Sequence, residues 1–304
     1  MSLTRRRFIA ISAVAACLPA ALSAQPSRHW AGQALGARAS IRLDHPDADA
    51  ITARCLAEID RLENVLSLYR PESALSRLNR DGQLEAAPFE LLDCLSQAQA
   101  VHRATGGLFD ATLQPLWVLW AKAASEGRRP DQTERKAALA LVGIDRLRLS
   151  SDRIRLEPGM AITLNGIGQG YVADRVASLL EAEGLTNILI DTGEHRAIGA
   201  GPDGSPWPLR TADGRREIPL AARALATSSP LGTCFDAAAR DGHILDPRTG
   251  APVASKWKSV TISAPTAALA DALATAACLS ADKSQMAQML AAFAGCRVEE
   301  AIPV

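Results

Sequence analysis

No two of the six cysteines in this 304-residue chain have the close spacing of a zinc or haem site, which removes the commonest metal-scaffold readings. No long basic run occurs after the first few residues, and 33 basic residues balance 33 acidic ones. A nucleic-acid surface has nothing to build on. The apolar stretch from Ile11 to Leu22 is too short and too rich in alanine for a comfortable membrane span. There is no fixed-period repeat and no low-complexity tract, so a solenoid or a disordered tail is not expected. What the chain does have is apolar residues, 48% of the total, enough for a sizeable core in one large domain or two fused lobes.

The N-terminus reads as an address. Thr4-Arg5-Arg6-Arg7-Phe8-Ile9, the apolar stretch, then small residues around Ser23 and Ala24 resemble a twin-arginine export signal over residues 1–24. Residues 25–304 are then the folded domain, and its place is the periplasm. No acidic residue precedes Asp44, so loss of the three arginines leaves 30 basic against 33 acidic residues and a formal charge of −3. Val14-Ala15-Ala16-Cys17 looks like a lipid-attachment box, but apolar residues continue past Cys17 and argue against an anchor there. Cys55, Cys94, Cys234, Cys278 and Cys296 remain. An odd count fits a disulfide framework badly; one bridge stays open, and buried thiols are the default.

Patterning predicts mixed α and β, an α+β fold with mixed sheets flanked by helices. Alternation over Ala39 to Leu43 suggests a strand, and Ile51, Cys55, Ile59, Leu62, Val65 and Leu66 fall on one helical face. Arg70 to Gly82 reads as a polar loop. Pro88 opens a helix toward Thr105, closed by Gly106-Gly107. Leu108 to Trp117 suggests a wedge packed between lobes or plain core, and Ser125 to Lys136 a flexible excursion. Short β-like runs follow at 146–149, 153–156, 160–164, 187–190 and 260–263.

Three segments carry candidate chemistry. Asn165-Gly166-Ile167-Gly168-Gln169-Gly170-Tyr171 sits between a strand-like run and a helix over Val172 to Glu183. Strand, glycine turn and helix suit a phosphate, because glycines admit close backbone approach and a helix N-terminus presents free N–H groups; such a turn is also commonly structural. The segment matches neither the dinucleotide-binding glycine spacing nor a P-loop with its Lys. In a helix starting after Pro265, Asp271 and Thr275 are four apart and share a face, an oxygen pair suited to Mg²⁺. Helical Asp residues are usually solvated, yet here the neighbours are small and apolar, and a buried carboxylate needs a partner. Third, Asp241 to Gly250 places His243, a proton carrier near neutral pH, beside Asp246 in a turn stiffened by Pro247; a surface turn is the competing reading. Thr227-Ser228-Ser229-Pro230 precedes it, with hydroxyls for phosphate or ribose, or simply a turn.

In this order, the segments resemble the ApbE family of flavin transferases over most of the chain after the signal. The resemblance is carried by Ser73 to Asn79, Thr105 to Asp110 through Leu116, the 163–174 glycine segment, His243 to Gly250, and Ser259 to Thr261 with Ala270 to Thr275. It implies an ApbE-like fold with an FAD cleft between two lobes. It also implies Mg²⁺-dependent cleavage of the FAD pyrophosphate, with FMN passed to a Thr or Ser hydroxyl of an exported or membrane flavoprotein and AMP released. By that pattern Asp271, Thr275 and the Gly166 carbonyl hold Mg²⁺, and the glycine turn, including Gln169 and Gly170, faces the phosphates. Asn79, Asp110 and Ser228 line the FAD cleft, His243 carries the proton, and Asp246 supports His243 or the acceptor loop. Two positions depart from the pattern: Gln169 where many relatives carry Lys, and Thr163 where Asp is frequent. Loss of a cation near two phosphates weakens charge stabilisation. Gln169 and Asp191 to Arg196 resemble the NosX-like branch, which serves the membrane flavoprotein supporting nitrous oxide reductase. A non-catalytic FAD-binding accessory protein and an FAD pyrophosphatase are the alternatives.

Overall fold

The computed structural model describes residues 28–43, 45–201, 203–211 and 214–304. The export signal at 1–24 and Cys17 lie outside them. Two antiparallel strands, β1 (Arg28–Ala34) and β2 (Ala37–Leu43), lead into helix α1 (Ala48–Leu66). The apolar stripe read from the sequence, Ile51 to Leu66, is the buried face of α1. Helix α2 (Ala74–Asp81) lies where a polar loop was expected. Its buried face, Ala74, Leu75 and Leu78, spans little more than one turn of an otherwise polar segment, and its start is fixed by Ser73, whose Oγ accepts from Ser76 N at 3.0 Å.

Strand β3 (Gln83–Glu85) and helix α3 (Phe89–Ala104), opened by Pro88, come next. Helices α4 (Gln114–Ser125) and α5 (Gln132–Leu139) follow, then β4 (Arg148–Leu149) and β5 (Arg153–Arg155). The charged stretch at 125–136 is not a free excursion. Asp131 and Glu134 form a reciprocal capping box that starts α5, Arg128 pairs with Glu134, and Arg129 reaches Asp241 at 2.6 Å. The expected strand at 160–164 is absent because its backbone bonds elsewhere: Ile162 with the Asn79 side chain, Thr163 N with the Ala111 carbonyl.

Helix α6 (Gly168–Ala182) precedes β6 (Ile188–Asp191) and β7 (His195–Ile198). The hairpin β8 (Trp207–Arg210) and β9 (Glu217–Leu220) comes next, then β10 (Ala224–Ser228), β11 (Trp257–Ala264), α7 (Ala267–Ala277), α8 (Lys283–Ala291) and β12 (Arg297–Pro303). The main sheet runs β1-β2-β6-β7-β10-β11-β12, each neighbour antiparallel. The chain is thus α+β, as the patterning predicts.

Alternation along the strands gives this sheet two buried faces. Ile188, Ile190, Ala224 and Ala226 join the large core with α1, α3, α6 and α7, whereas Leu189, Ala197 and Leu225 face the β8–β9 hairpin. A third cluster joins Leu116 and Trp120 of α4 to Leu245 and Phe235. The segment from Leu108 to Trp117 bridges cores: Leu108, Phe109 and Ala111 pack in the large one, Leu116 and Trp117 in the third. Trp120 Nε1 donates to the Gly250 carbonyl at 2.9 Å, which anchors the 241–250 turn on α4. Among the described residues no helix is long and apolar enough to cross a membrane. The five cysteines there are free thiols, with Cys55, Cys94 and Cys278 buried.

Candidate active site

Helix α7 is buried on every side, built of alanines that let α6, β10 and β11 approach closely. Asp271 sits inside it, 3% exposed, and its Oδ2 has no hydrogen-bond partner. Burial pushes its carboxyl well above the usual range, opposed by the N–H of Gly170, which donates to it. That donation requires α6 and α7 to touch: a Cβ on Gly170 would lie 2.3 Å from the Ala267 carbonyl oxygen. Asp174, one turn further along α6, accepts from the N–H groups of Ala267 and Ala268 at 2.8 and 2.9 Å, so it caps α7 from outside. Helix α6 begins at Gly168, earlier than the expected Val172, which puts Gln169 and Gly170 in its first turn rather than in a loop.

Thr275 lies one turn beyond Asp271. Ser228 Oγ at the end of β10 is 3.3 Å from Thr275 Oγ1. Gly166 packs against the same hydroxyl, since a Cβ there would come within 3.1 Å of it. Gly166, Ser228, Asp271 and Thr275, far apart in sequence, therefore meet at the mouth of α6. So does Glu194, from the β6–β7 turn. It is 8% exposed, and burial, then the charges of Asp271 and Asp191, push its carboxyl up, opposed by a hydrogen bond from the Thr227 backbone.

His243 packs on the Pro230 to Thr233 segment that follows β10, two to five residues beyond Ser228. Its Nδ1 is 3.0 Å from the Thr233 carbonyl, an acceptor, so Nδ1 carries the proton and Nε2 the lone pair. Burial lowers its pKa, with the Thr233 and Pro230 carbonyls acting the other way. Gly242 is needed there because a Cβ would lie 2.0 Å from the Pro230 oxygen. Asp246 does not orient His243. Its carboxylate takes Arg248 N at 2.9 Å and Arg248 Nη2 at 2.7 Å, closing the turn on itself. Burial raises its pKa, and the Arg248 bonds outweigh that, leaving it below the usual value.

The sequence profile of the ApbE family matches residues 35–296 of this chain. The chain belongs to the ApbE family. The FAD:protein FMN transferase of Vibrio cholerae serotype O1 is 30% identical over 277 residues, 85% of this chain and 83% of the relative. That of Escherichia coli K12 is 28% identical over 254 residues, 77% and 72%. The solved flavin transferase ApbE from Vibrio cholerae aligns with a TM-score of 0.75 at 26% identity, over 90% of this chain and 93% of that one. The apo form of Pseudomonas stutzeri flavinyl transferase ApbE gives 0.76 at 27%, over 86% and 87%.

In this ApbE-family chain two of the expected cleft residues spend their polar atoms on the fold. Asn79 donates to the Ile162 carbonyl at 2.8 Å and accepts from Ile162 N at 2.7 Å, so it stands in for a strand partner and fixes the approach to the glycine segment. Asp110 is buried, takes both the N–H and the hydroxyl of Thr112, and accepts from Ile144 N at 3.1 Å. Asn79→Ala is expected to cost about 2 kcal/mol of stability, two hydrogen bonds of about 1 each, read as a lower urea midpoint, with FAD affinity of the folded protein unchanged.

Glu194 and Thr192 were not singled out by sequence reasoning. Thr192 Oγ1 donates to the Gln169 carbonyl at 3.0 Å and so ties the β6–β7 turn to α6. The available signal was a carboxylate directly after Thr-Gly in the turn between two short strands. A surface cavity of about 780 Å³ lies elsewhere, lined by Arg216, Lys283, Leu290 and Phe293. It holds none of the converging groups, and the buried, unpaired carboxylate oxygens mark the reactive site better than volume does.

Proposed function

We propose that this ApbE-family transferase moves FMN from FAD to a Thr or Ser hydroxyl of an acceptor flavoprotein, releasing AMP, with Mg²⁺ at the pyrophosphate. The observation that carries this reading is the convergence of Gly166, Ser228, Asp271 and Thr275 around a buried carboxylate oxygen with no partner. Such an oxygen beside a hydroxyl suits a hard divalent cation. Asp271 and Thr275 would hold it, with the Gly166 carbonyl; when bound, the cation supplies charge neutralisation for the pyrophosphate oxygens. The first turn of α6 adds its partial positive charge toward an anion.

His243 takes the hydroxyl proton at Nε2 as the acceptor oxygen bonds to the FMN phosphorus. The bond from that phosphorus to the bridging oxygen breaks, and AMP leaves with the electron pair. Ser228 is placed to donate to a phosphate oxygen. Asp246 and Arg248 keep the turn that carries His243 in shape. Gln169 contributes no charge here, so neutralisation rests on the cation and the helix.

The setting belongs to the same proposal: a periplasmic protein exported by the twin-arginine route, acting on a membrane-associated flavoprotein, in the nitrous oxide reductase branch. Support comes from Thr4 to Ile9 and from the Gln169 and Asp191 to Arg196 strings. Incubation with FAD, Mg²⁺ and a peptide carrying the acceptor Thr is expected to add one FMN mass to the peptide and release AMP. AMP without an adduct identifies a pyrophosphatase instead. FAD binding with neither product identifies a non-catalytic carrier, the outcome that a neutral Gln169 would favour.

A further inference from the structure

Glu194 is a buried carboxylate that the proposed chemistry leaves idle. Its Oε2 has no hydrogen-bond partner, and neither has Oδ2 of Asp271, whose charge reaches it. The two side chains come from different elements, the β6–β7 turn and α7. Strand β7 pairs antiparallel with β10 at His195 and Leu225, which runs Glu194 alongside the end of β10 that carries Thr227 and Ser228, and Ser228 Oγ is 3.3 Å from Thr275 Oγ1. Both carboxylates are more than nine-tenths buried, and each has a bare oxygen.

An ionised carboxylate out of water costs several kcal/mol even after relaxation, and a second of like sign nearby adds repulsion. Both are relieved together by one hard cation between them. The turn that carries Glu194 is held in place by Thr192 on the Gln169 carbonyl, so the carboxylate is positioned by the same helix end that faces the pyrophosphate. Among the described residues no cluster of three His, Cys, Asp or Glu side chains forms a cage. Two carboxylates with hydroxyl, carbonyl and water oxygens make the open, oxygen-only shell that Mg²⁺ and Mn²⁺ accept.

We infer that Glu194 is a second anionic ligand for the divalent cation at Asp271 and Thr275, and that this pair loads the cation before FAD arrives. The inference rests on the reading of Asp271 and Thr275 as cation ligands. It is tested without flavin, by calorimetric titration of the exported-form protein with Mn²⁺ and by melting with and without Mn²⁺. Wild type is expected to bind and to gain melting temperature. E194Q is expected to bind at least about 10–100-fold more weakly, since even groups that only support a ligand cost that much when removed. In cation-free buffer it melts at the same or a higher temperature, because an amide removes the repulsion. A merely structural glutamate would give the reverse, a lower melting temperature with the cation-induced gain intact.

E194A, which removes the carboxylate without adding an amide, is the second variant should the amide not be accommodated, and it carries the same expectation. Wild-type Mn²⁺ affinity in either folded variant, with D271N binding abolished, overturns the role of Glu194 and leaves the Asp271 reading standing. No Mn²⁺ binding by wild type overturns both.

Discussion

His243→Ala is expected to lower FMN transfer by about 100- to 10,000-fold, the range for removing a general base, while FAD affinity measured by flavin fluorescence stays near wild type. The tautomer decides which ring nitrogen can act. Nδ1 faces the Thr233 carbonyl and must donate, which leaves Nε2 as the proton acceptor. Burial lowers the pKa, so the ring is neutral and competent at pH 7. Activity should therefore hold on going from pH 8 to pH 6.5 and fall at lower pH, as the ring takes a proton. The same sign applies to stability: the unfolded chain binds this proton more readily than the native one, so the folded state loses ground as pH drops below about 6.5, the unperturbed value. A variant that labels the acceptor at the wild-type rate would remove His243 from the chemistry. Loss of FAD affinity in step with rate would reassign it to binding.

The sequence made regular elements legible where burial is periodic. The stripe on α1 is the example, because a single face decides its pattern; α3 was marked by Pro88 at its start and β11 by a short β-like run that is buried on both faces. It also brought out Asp271, whose apolar neighbours made a solvated role implausible, and Gly166, which the fold sets against Thr275. Helix α2 was hidden because its buried face, Ala74, Leu75 and Leu78, is little more than one turn long within a polar segment. Asn79 and Asp110 drew attention as polar residues within motifs; beside the local bonds of Asp110 with Thr112, their partners include Ile162 and Ile144, backbone groups 83 and 34 residues away that no local pattern reveals. Asp246 is the local counterpart: its partner, Arg248, is two residues away in its own turn. Glu194 was overlooked for the opposite reason: it looks like an ordinary hairpin charge until three other elements fold over it.

Gly170→Ala is expected to destabilise the protein by about 2 kcal/mol or more, within the range for overpacking a tight contact, and to weaken Mn²⁺ binding with it. Helix propensity alone predicts the reverse, a gain of about 1 kcal/mol for Ala over Gly inside a helix. Distance decides between them. The added Cβ would stand 2.3 Å from the Ala267 oxygen, 2.4 Å from its carbonyl carbon and 2.6 Å from Ala268 N, all backbone atoms that cannot rotate away. Relief requires α6 and α7 to part, and that joint carries the Gly170 N–H on Asp271 and the Asp174 bonds to Ala267 and Ala268. Stability and cation affinity are thus coupled through one contact. Gly184→Ala provides the contrast: its φ of +79° strains an alanine, yet nothing lies within 4 Å of the new carbon. That variant should lose about 1 kcal/mol from backbone strain and keep full Mn²⁺ affinity. Urea unfolding and Mn²⁺ titration of both variants separate the cases, and a Gly170→Ala protein as stable as wild type would show that the helices are not held at this distance.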